Sequence, residues 1–472
     1  MMHFRLSSPL LVGSVAVAAL ACASVFVAAA PPAAKSNKAA NSAAPSKKQD
    51  AAAKSASSDD AAPAADTVPN ADWPQFRGPD GQGHASGRLP LRWTEKKNIK
   101  WKTPIPGAGW SSPAIQNGQL WLTTAVVKKK SLRALCLDVE TGDIAHDIEV
   151  FHRDPLPNIH PKNSHATPTP IIVGDRVYVH FGAEGTAALT TSGAILWKKE
   201  LAYYQHHGPG SSPVVVGDSL IIPCDGYLRP FYDNPTIAGI TDHQFVVALD
   251  RNTGDVRWKS PRVGAHSYAT PLAIEVAGKT QVVSPGGNGV TAYDPESGDA
   301  IWTCRYEGYS VVPRPVYGHG LVFVCTGYDV PSVLAIRVDG TGDVTDTHVE
   351  WTLKQGAPLN ASPVLVGDEL YMVSDLGIAT CVDARTGKLR WKRRIGGNYS
   401  TSPLASDGRL YFLDESGVTH VLAADKKYES LATNRLKGTT LASLAAAGGR
   451  LYLRTDEALY CIEESEPEAS KK

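Results

Sequence analysis

The sequence predicts an all-β chain, an eight-bladed β-propeller of four-stranded antiparallel blades closed by an N-terminal strand in the last blade. Three observations predict it. A unit that opens on small or polar residues followed by Pro recurs about every 40–58 residues, the period of a blade. Inside each unit, Gly-centred turns separate short apolar runs, which signals tight hairpins. The final unit runs out after three strands, while the segment ahead of the first unit supplies one strand too many.

Residues 1–30 read as an export signal. His3 and Arg5 precede an apolar run from Leu10 to Ala30 that ends in small residues. Such a segment is a secretory signal, or an uncleaved membrane anchor, since it is nearly long enough to span a bilayer. Lipid attachment at Cys22 is a third reading, weakened because Ala19-Leu20-Ala21 lacks the usual Leu three before the Cys. Residues 31–70 are Ala, Ser, Lys, Pro and Asp with few large apolar side chains. That composition cannot offset the entropy of ordering, so a flexible tether is expected, reaching roughly 35 Å. Residues 71–97 are expected to pack on the propeller as an extension, 98–464 to form it, and 465–472 to be a polar tail.

The blade openings are Ser111-Ser112-Pro113, Pro168-Thr169-Pro170, Ser211-Ser212-Pro213, Ala269-Thr270-Pro271, Pro313-Arg314-Pro315, Ala361-Ser362-Pro363 and Thr401-Ser402-Pro403, with Thr440 to Ser443 as a degenerate eighth. Pro is tolerated there because a strand's first residue precedes its ladder. A Gly turn and a second strand follow, as in Val173-Gly174-Asp175 to Val179. The third strand leads into an Asp-x-x-Thr-Gly turn and a Trp, complete in Asp250 to Trp258. The Asp side chain caps the turn, the Gly supplies positive φ, and the Trp bulk fills the gap between sheets. Asn98 to Thr103 is the missing fourth strand of blade eight. Trp101 is therefore expected beside the strand carrying Leu459, leaving no open edge.

These Asp-x-x-Thr-Gly-x-x-x-Trp turns resemble pyrroloquinoline-quinone (PQQ)-like repeats. They are similar to those of quinoprotein dehydrogenases and of the outer-membrane assembly lipoprotein BamB, both eight-bladed. The nearest likeness is to exported bacterial PQQ-binding-like β-propeller repeat proteins. Those also carry a Trp-Pro-x-Phe-Arg-Gly-Pro segment ahead of the first blade, here Trp73 to Pro79. The resemblance covers about residues 72–464 and implies fold far more firmly than function.

Strands alternate in direction, so the loops leading into first strands share a face with those joining second to third strands. First strands line the channel, and their lead-in loops crowd its mouth. Trp110 leads into blade one. Lys162, Asn163 and His165 lead into blade two, and His206 and His207 into blade three. His266 and Tyr268 lead into blade four, Tyr309 and Arg314 into blade five, Asn360 into blade six and Tyr399 into blade seven. The long connection from Asp225 to Asp242 in blade three adds Tyr227 and Tyr232. This face is the expected binding surface, since long aromatic loops are binding elements more often than filler.

The His residues match no metal spacing, so hydrogen-bonded imidazoles are expected and no metal. The dehydrogenase resemblance implies PQQ between a Trp floor and a disulfide of adjacent cysteines, with calcium on carboxylate and amide ligands. None of the seven cysteines is adjacent to another. No nucleophile elbow, phosphate loop or His-Glu-x-x-His motif occurs either. No cofactor is therefore expected, PQQ with calcium remaining the alternative. The cysteines in apolar runs read as buried thiols, although an exported chain allows pairing. With 47 Lys+Arg against 47 Asp+Glu, the chain has no electrostatic footprint for nucleic acid, and membrane contact is expected only through the N-terminus. The expectation is an exported monomer in the periplasm or cell envelope. It acts as a non-catalytic scaffold for an envelope protein or peptide. A PQQ-dependent redox enzyme and a carbohydrate or small-molecule binder are the alternatives.

Overall fold

A computed structural model describes residues 72–205, 207–226 and 244–464. The proposed signal or anchor, the tether and the polar tail lie outside the described residues, as do His206, Tyr227 and Tyr232. Among the described residues no helix is long and apolar enough to cross a membrane.

The strands form eight antiparallel sheets in simple meander order. Blade one is Ala114–Gln116, Gln119–Val126, Ser131–Asp138 and Ile144–His152. The next six blades repeat this order, beginning at Ile171, Val214, Leu272, Val316, Val364 and Leu404. Blade eight joins Ala445–Ala447, Arg450–Arg454 and Ala458–Ile462 to the N-terminal strand Ile99–Pro104. Trp101 stands opposite Cys461, and Thr103 opposite Leu459. The ring closes as the strand count predicts. Blade four gains a short fifth strand, Gly342–Asp343, lent by blade five and parallel to Trp302 and Thr303.

The hydrophobic core lies between neighbouring blades. One cluster joins Trp121, Leu132 and Cys136 of blade one to Ile172, Val177 and Val179 of blade two. The Trp signature has a specific seat. Trp197, Trp258, Trp351 and Trp101 each donate Nε1–H to a backbone carbonyl in the turn of the following blade, at 2.9–3.1 Å. The turn glycine lies against the incoming ring, so that a Cβ on Gly254 would stand 2.7 Å from Trp197. That Gly also has φ +78°. Turn geometry and blade contact both exclude a side chain there. Asp250 caps the turn as expected, Oδ1 accepting from the N–H groups of Asn252 and Thr253.

The residue before each opening Pro has a role that the repeat alone does not disclose. Ser112 N–H donates to Thr169 Oγ1, Thr169 N–H to Ser212 Oγ and Ser212 N–H to Thr270 Oγ1. The belt resumes from Arg314 N–H to Ser362 Oγ, then through Ser402 to Ser443. Hydroxyls of one blade thus satisfy backbone donors of its neighbour around the channel.

The segment 72–97 crosses the channel end opposite the lead-in loops. Trp73 pairs with Ile115 of blade one, and Pro74 accepts from Ile172 N–H of blade two. Gln82 and His84 reach blades five and six, at Tyr317 N–H and the Leu365 carbonyl. Ala85 binds Ala405 of blade seven. Arg77 inserts into the channel and donates to the Gln82, Pro363 and Pro403 carbonyls. The segment is a strap across the floor of the ring.

Candidate functional site

The lead-in loops converge on a cup of about 800 Å³ at the other end of the channel. Trp110, Lys162, Asn163 and His207 line it from blades one to three. His266, Tyr268, Tyr309 and Asn360 complete the set from blades four to six. Eight of the proposed residues therefore meet in one hollow.

Three others do not. His165 is buried behind the mouth, where desolvation lowers its pKa. Tyr399 is fully buried under the blade-seven loop, with its N–H bonded to the Asp375 carbonyl. Arg314 turns down the channel, its Nε donating to the Pro271 carbonyl and its Nη1 to the Phe76 carbonyl of the strap. It sits where other blades carry Ser or Thr, so it belongs to the belt and the floor.

The walls differ in chemistry. On one side the rings form a continuous series: His160 to His207 at 5.1 Å between centroids, His207 to His266 at 5.5 Å, His266 to Tyr309 at 5.5 Å and Tyr309 to Tyr328 at 5.7 Å. Tyr268 stacks on His207 at 6.1 Å. Burial, reinforced by the Asp225 charge, raises the Tyr268 phenol pKa and keeps it neutral. Its buried hydroxyl has no hydrogen-bond partner among the described residues. The other wall is polar. Asp375 accepts from Leu359 N–H at 3.0 Å, Asn360 N–H at 3.2 Å and the Asn360 side-chain amide. Lys162 spans the mouth from blade two to meet Glu415 of blade seven at 2.7 Å, and Ser400 Oγ donates to the same carboxylate.

Tyr328, Asp375 and Glu415 were not singled out from sequence. All three sit in second-to-third connections, and the rule that puts those connections at the mouth was the available signal. Their short turns look like any other turn.

The cup lacks the carboxylate set and the adjacent-cysteine disulfide that the dehydrogenase resemblance implies for PQQ with calcium. Asp375 is the one carboxylate among the described lining residues and is already held by three donors. The six cysteines of the described residues are buried, unpaired and set in separate blades. Among the described residues no three His, Cys, Asp or Glu are grouped to hold a metal. A second hollow of about 680 Å³ beside blade four contains Arg262. That guanidinium is spent internally on buried Asp225.

The family model described as outer membrane protein assembly factor BamB matches residues 91–222 and 342–458, more than half of the chain. The chain belongs to the BamB family. BamB of Burkholderia pseudomallei (strain K96243) is 31% identical over 115 residues, covering 24% of this chain and 29% of that protein. BamB of Alteromonas naphthalenivorans is 25% identical over 241 residues, covering 47% and 53%. Methanol dehydrogenase [cytochrome c] subunit 1 of Paracoccus denitrificans is 29% identical over 154 residues, covering 28% and 22%. The chain spans only 29–61% of the length of the BamB relatives it matches. Among solved structures, BamB from Moraxella catarrhalis superposes with a TM-score of 0.54 at 15% identity, covering 77% of this chain and 99% of that one. Quinohemoprotein alcohol dehydrogenase from Comamonas testosteroni gives 0.58 at 11% identity, covering 85% and 82%. These superpositions show that the BamB family and the dehydrogenases share this propeller fold.

Proposed function

We propose that this BamB-family chain is a non-catalytic binding propeller of the cell envelope that recognises a protein partner through its channel mouth. The observation that carries the reading is the make-up of the mouth. Tyr, Trp, Asn and Ser from successive loops stand on a rigid ring, the combination that suits recognition surfaces: large aromatics for contact area and small polar residues for adaptable hydrogen bonds. The relatives named as outer membrane protein assembly factors support an envelope setting and protein partners.

Site-specific photocrosslinking in living cells tests this. A crosslinker at Tyr328, 56% exposed at the mouth, is expected to trap one defined envelope protein. A crosslinker at Lys279, exposed at the start of a strand just after a hairpin turn on the opposite face, is expected to trap none. Equal patterns from both positions would remove the mouth from consideration.

Quinone-dependent oxidation is the second reading, favoured by the methanol dehydrogenase match. Titration of the protein with PQQ and calcium, followed by Trp fluorescence and visible absorbance, separates the two. Saturable one-to-one binding with a spectral shift supports the enzyme; a flat titration supports the scaffold.

A further inference from the structure

We propose that the cup within the mouth is a binding site for a neutral saccharide. The proposal rests on the reading of the mouth as the binding face and names the ligand class that its hollow would take.

Four features lead there. The floor is shut by the strap, with Arg77 and Arg314 filling the channel below, so among the described residues the cup opens away from the strap. The volume of about 800 Å³ falls in the range of about 300–1,000 Å³ typical of small-ligand pockets.

The backbone around the mouth is already paired. Tyr268 N–H donates to the Val311 carbonyl, Ser310 N–H to His266 and Trp110 N–H to Ala166. Tyr309 and Tyr328 bond each other, and His160 N–H is held by the His207 carbonyl. Among the described residues an extended peptide finds no free strand edge at these positions, and recognition falls to side chains.

Those side chains offer an aromatic wall facing a wall of hydroxyl, amide and carboxylate groups. Each charge is locally engaged: Lys162 pairs with Glu415, and the Asp375 carboxylate accepts from three neutral N–H groups. No single charge asks for an ionic ligand. A sugar ring has an apolar C–H face for the aromatics and hydroxyls that both donate and accept for the polar wall. The buried Tyr268 hydroxyl adds one more group that a hydroxyl-rich ligand, or water carried with it, would satisfy.

Calorimetry on the full chain tests the proposal with maltose, cellobiose and diacetylchitobiose as neutral probes and digalacturonate as the acidic comparison. One neutral disaccharide is expected to bind one-to-one and to change Trp fluorescence through Trp110. Tyr309→Ala and Tyr328→Ala are expected to weaken it by about tenfold each, as for loss of an aromatic anchor. Lys279→Ala is expected to leave it unchanged. Thermal midpoints of all variants establish that they are folded. Starch, cellulose and chitin pull-downs distinguish sources: retention on a polymer that the Tyr variants lose, with no disaccharide binding, identifies the ligand as polymer-borne. Absence of binding to every neutral sugar and polymer, tighter binding of digalacturonate, or full affinity in both Tyr variants overturns the proposal. If sugars fail while Tyr328 still crosslinks its partner, the mouth remains the binding face and only the saccharide is lost. If both fail, both readings fall.

Discussion

Gly254 shows how much a single missing side chain can carry. Its φ of +78° costs an L residue about 1–2 kcal/mol, and the Trp197 ring occupies the space a Cβ would need. Gly254→Ala is expected to lower the thermal midpoint by more than the backbone term alone, and Trp197→Ala in the same chain to recover part of that excess. His180 is a second test at this scale. It is buried against Thr186 Oγ1 at 2.8 Å, and desolvation lowers its pKa from 6.5 to about 3. The folded chain keeps this imidazole neutral while the unfolded chain protonates it below 6.5. Its contribution is therefore fully present above that pH and is lost progressively as pH falls toward 3. Thermal midpoints measured from pH 7 downward should drop, and His180→Asn should flatten the drop. The Asp-x-x-Thr-Gly turn and its Trp were legible in the sequence because their chemistry is local. Arg314 and Tyr399 were legible only as polar loop residues. Arg314 stands at the position before Pro that the next blade pins, and Tyr399 is held by the Asp375 carbonyl of the preceding blade, contacts that no single repeat reveals.

Among the elements, the strap is the least ordinary. Arg77 is buried, and desolvation followed by the like charge of Arg314 lowers its pKa to about 9. It persists because it satisfies carbonyls at the centre of the ring. Arg77→Met removes these donors and is expected to cost about 1–3 kcal/mol, read as a lower denaturation midpoint. Proteolysis within residues 72–97 should rise in parallel if the strap loosens before the blades do. The sequence marked this segment by its Trp-Pro-x-Phe-Arg-Gly-Pro motif and an expectation that it packs on the propeller. Its path over blades one, two, five, six and seven was beyond reach. Such contacts link Arg77 to Pro363 and Pro403, hundreds of residues away, and follow from ring geometry.

For the whole molecule, closure between blades eight and one decides integrity. Trp101 Nε1–H reaches the Val139 carbonyl at 2.9 Å, and Arg450 Nη2 lies 3.0 Å from Glu140. Lys100 joins Glu140 and Glu463. Trp101→Ala is expected to cost about 3–5 kcal/mol. Glu140→Ala should cost less than about 1 kcal/mol, because its pair is exposed and screened. Hydrogen bonds from Arg450 and Lys100 hold the Glu140 pKa at about 2. That small share is thus present above the normal carboxylate range and fades as pH falls toward 2. Chemical denaturation of both variants separates the packing from the charges. Closure was fully legible, since counting strands at both ends leaves one arrangement without an exposed edge.

The strapped floor also governs timing. A vessel with a single doorway admits and releases in reverse order, so whatever settles on the rim detains whatever lies beneath. A protein docked over Tyr328 would slow the departure of a small ligand without touching it. The two occupants would then report on each other through residence time.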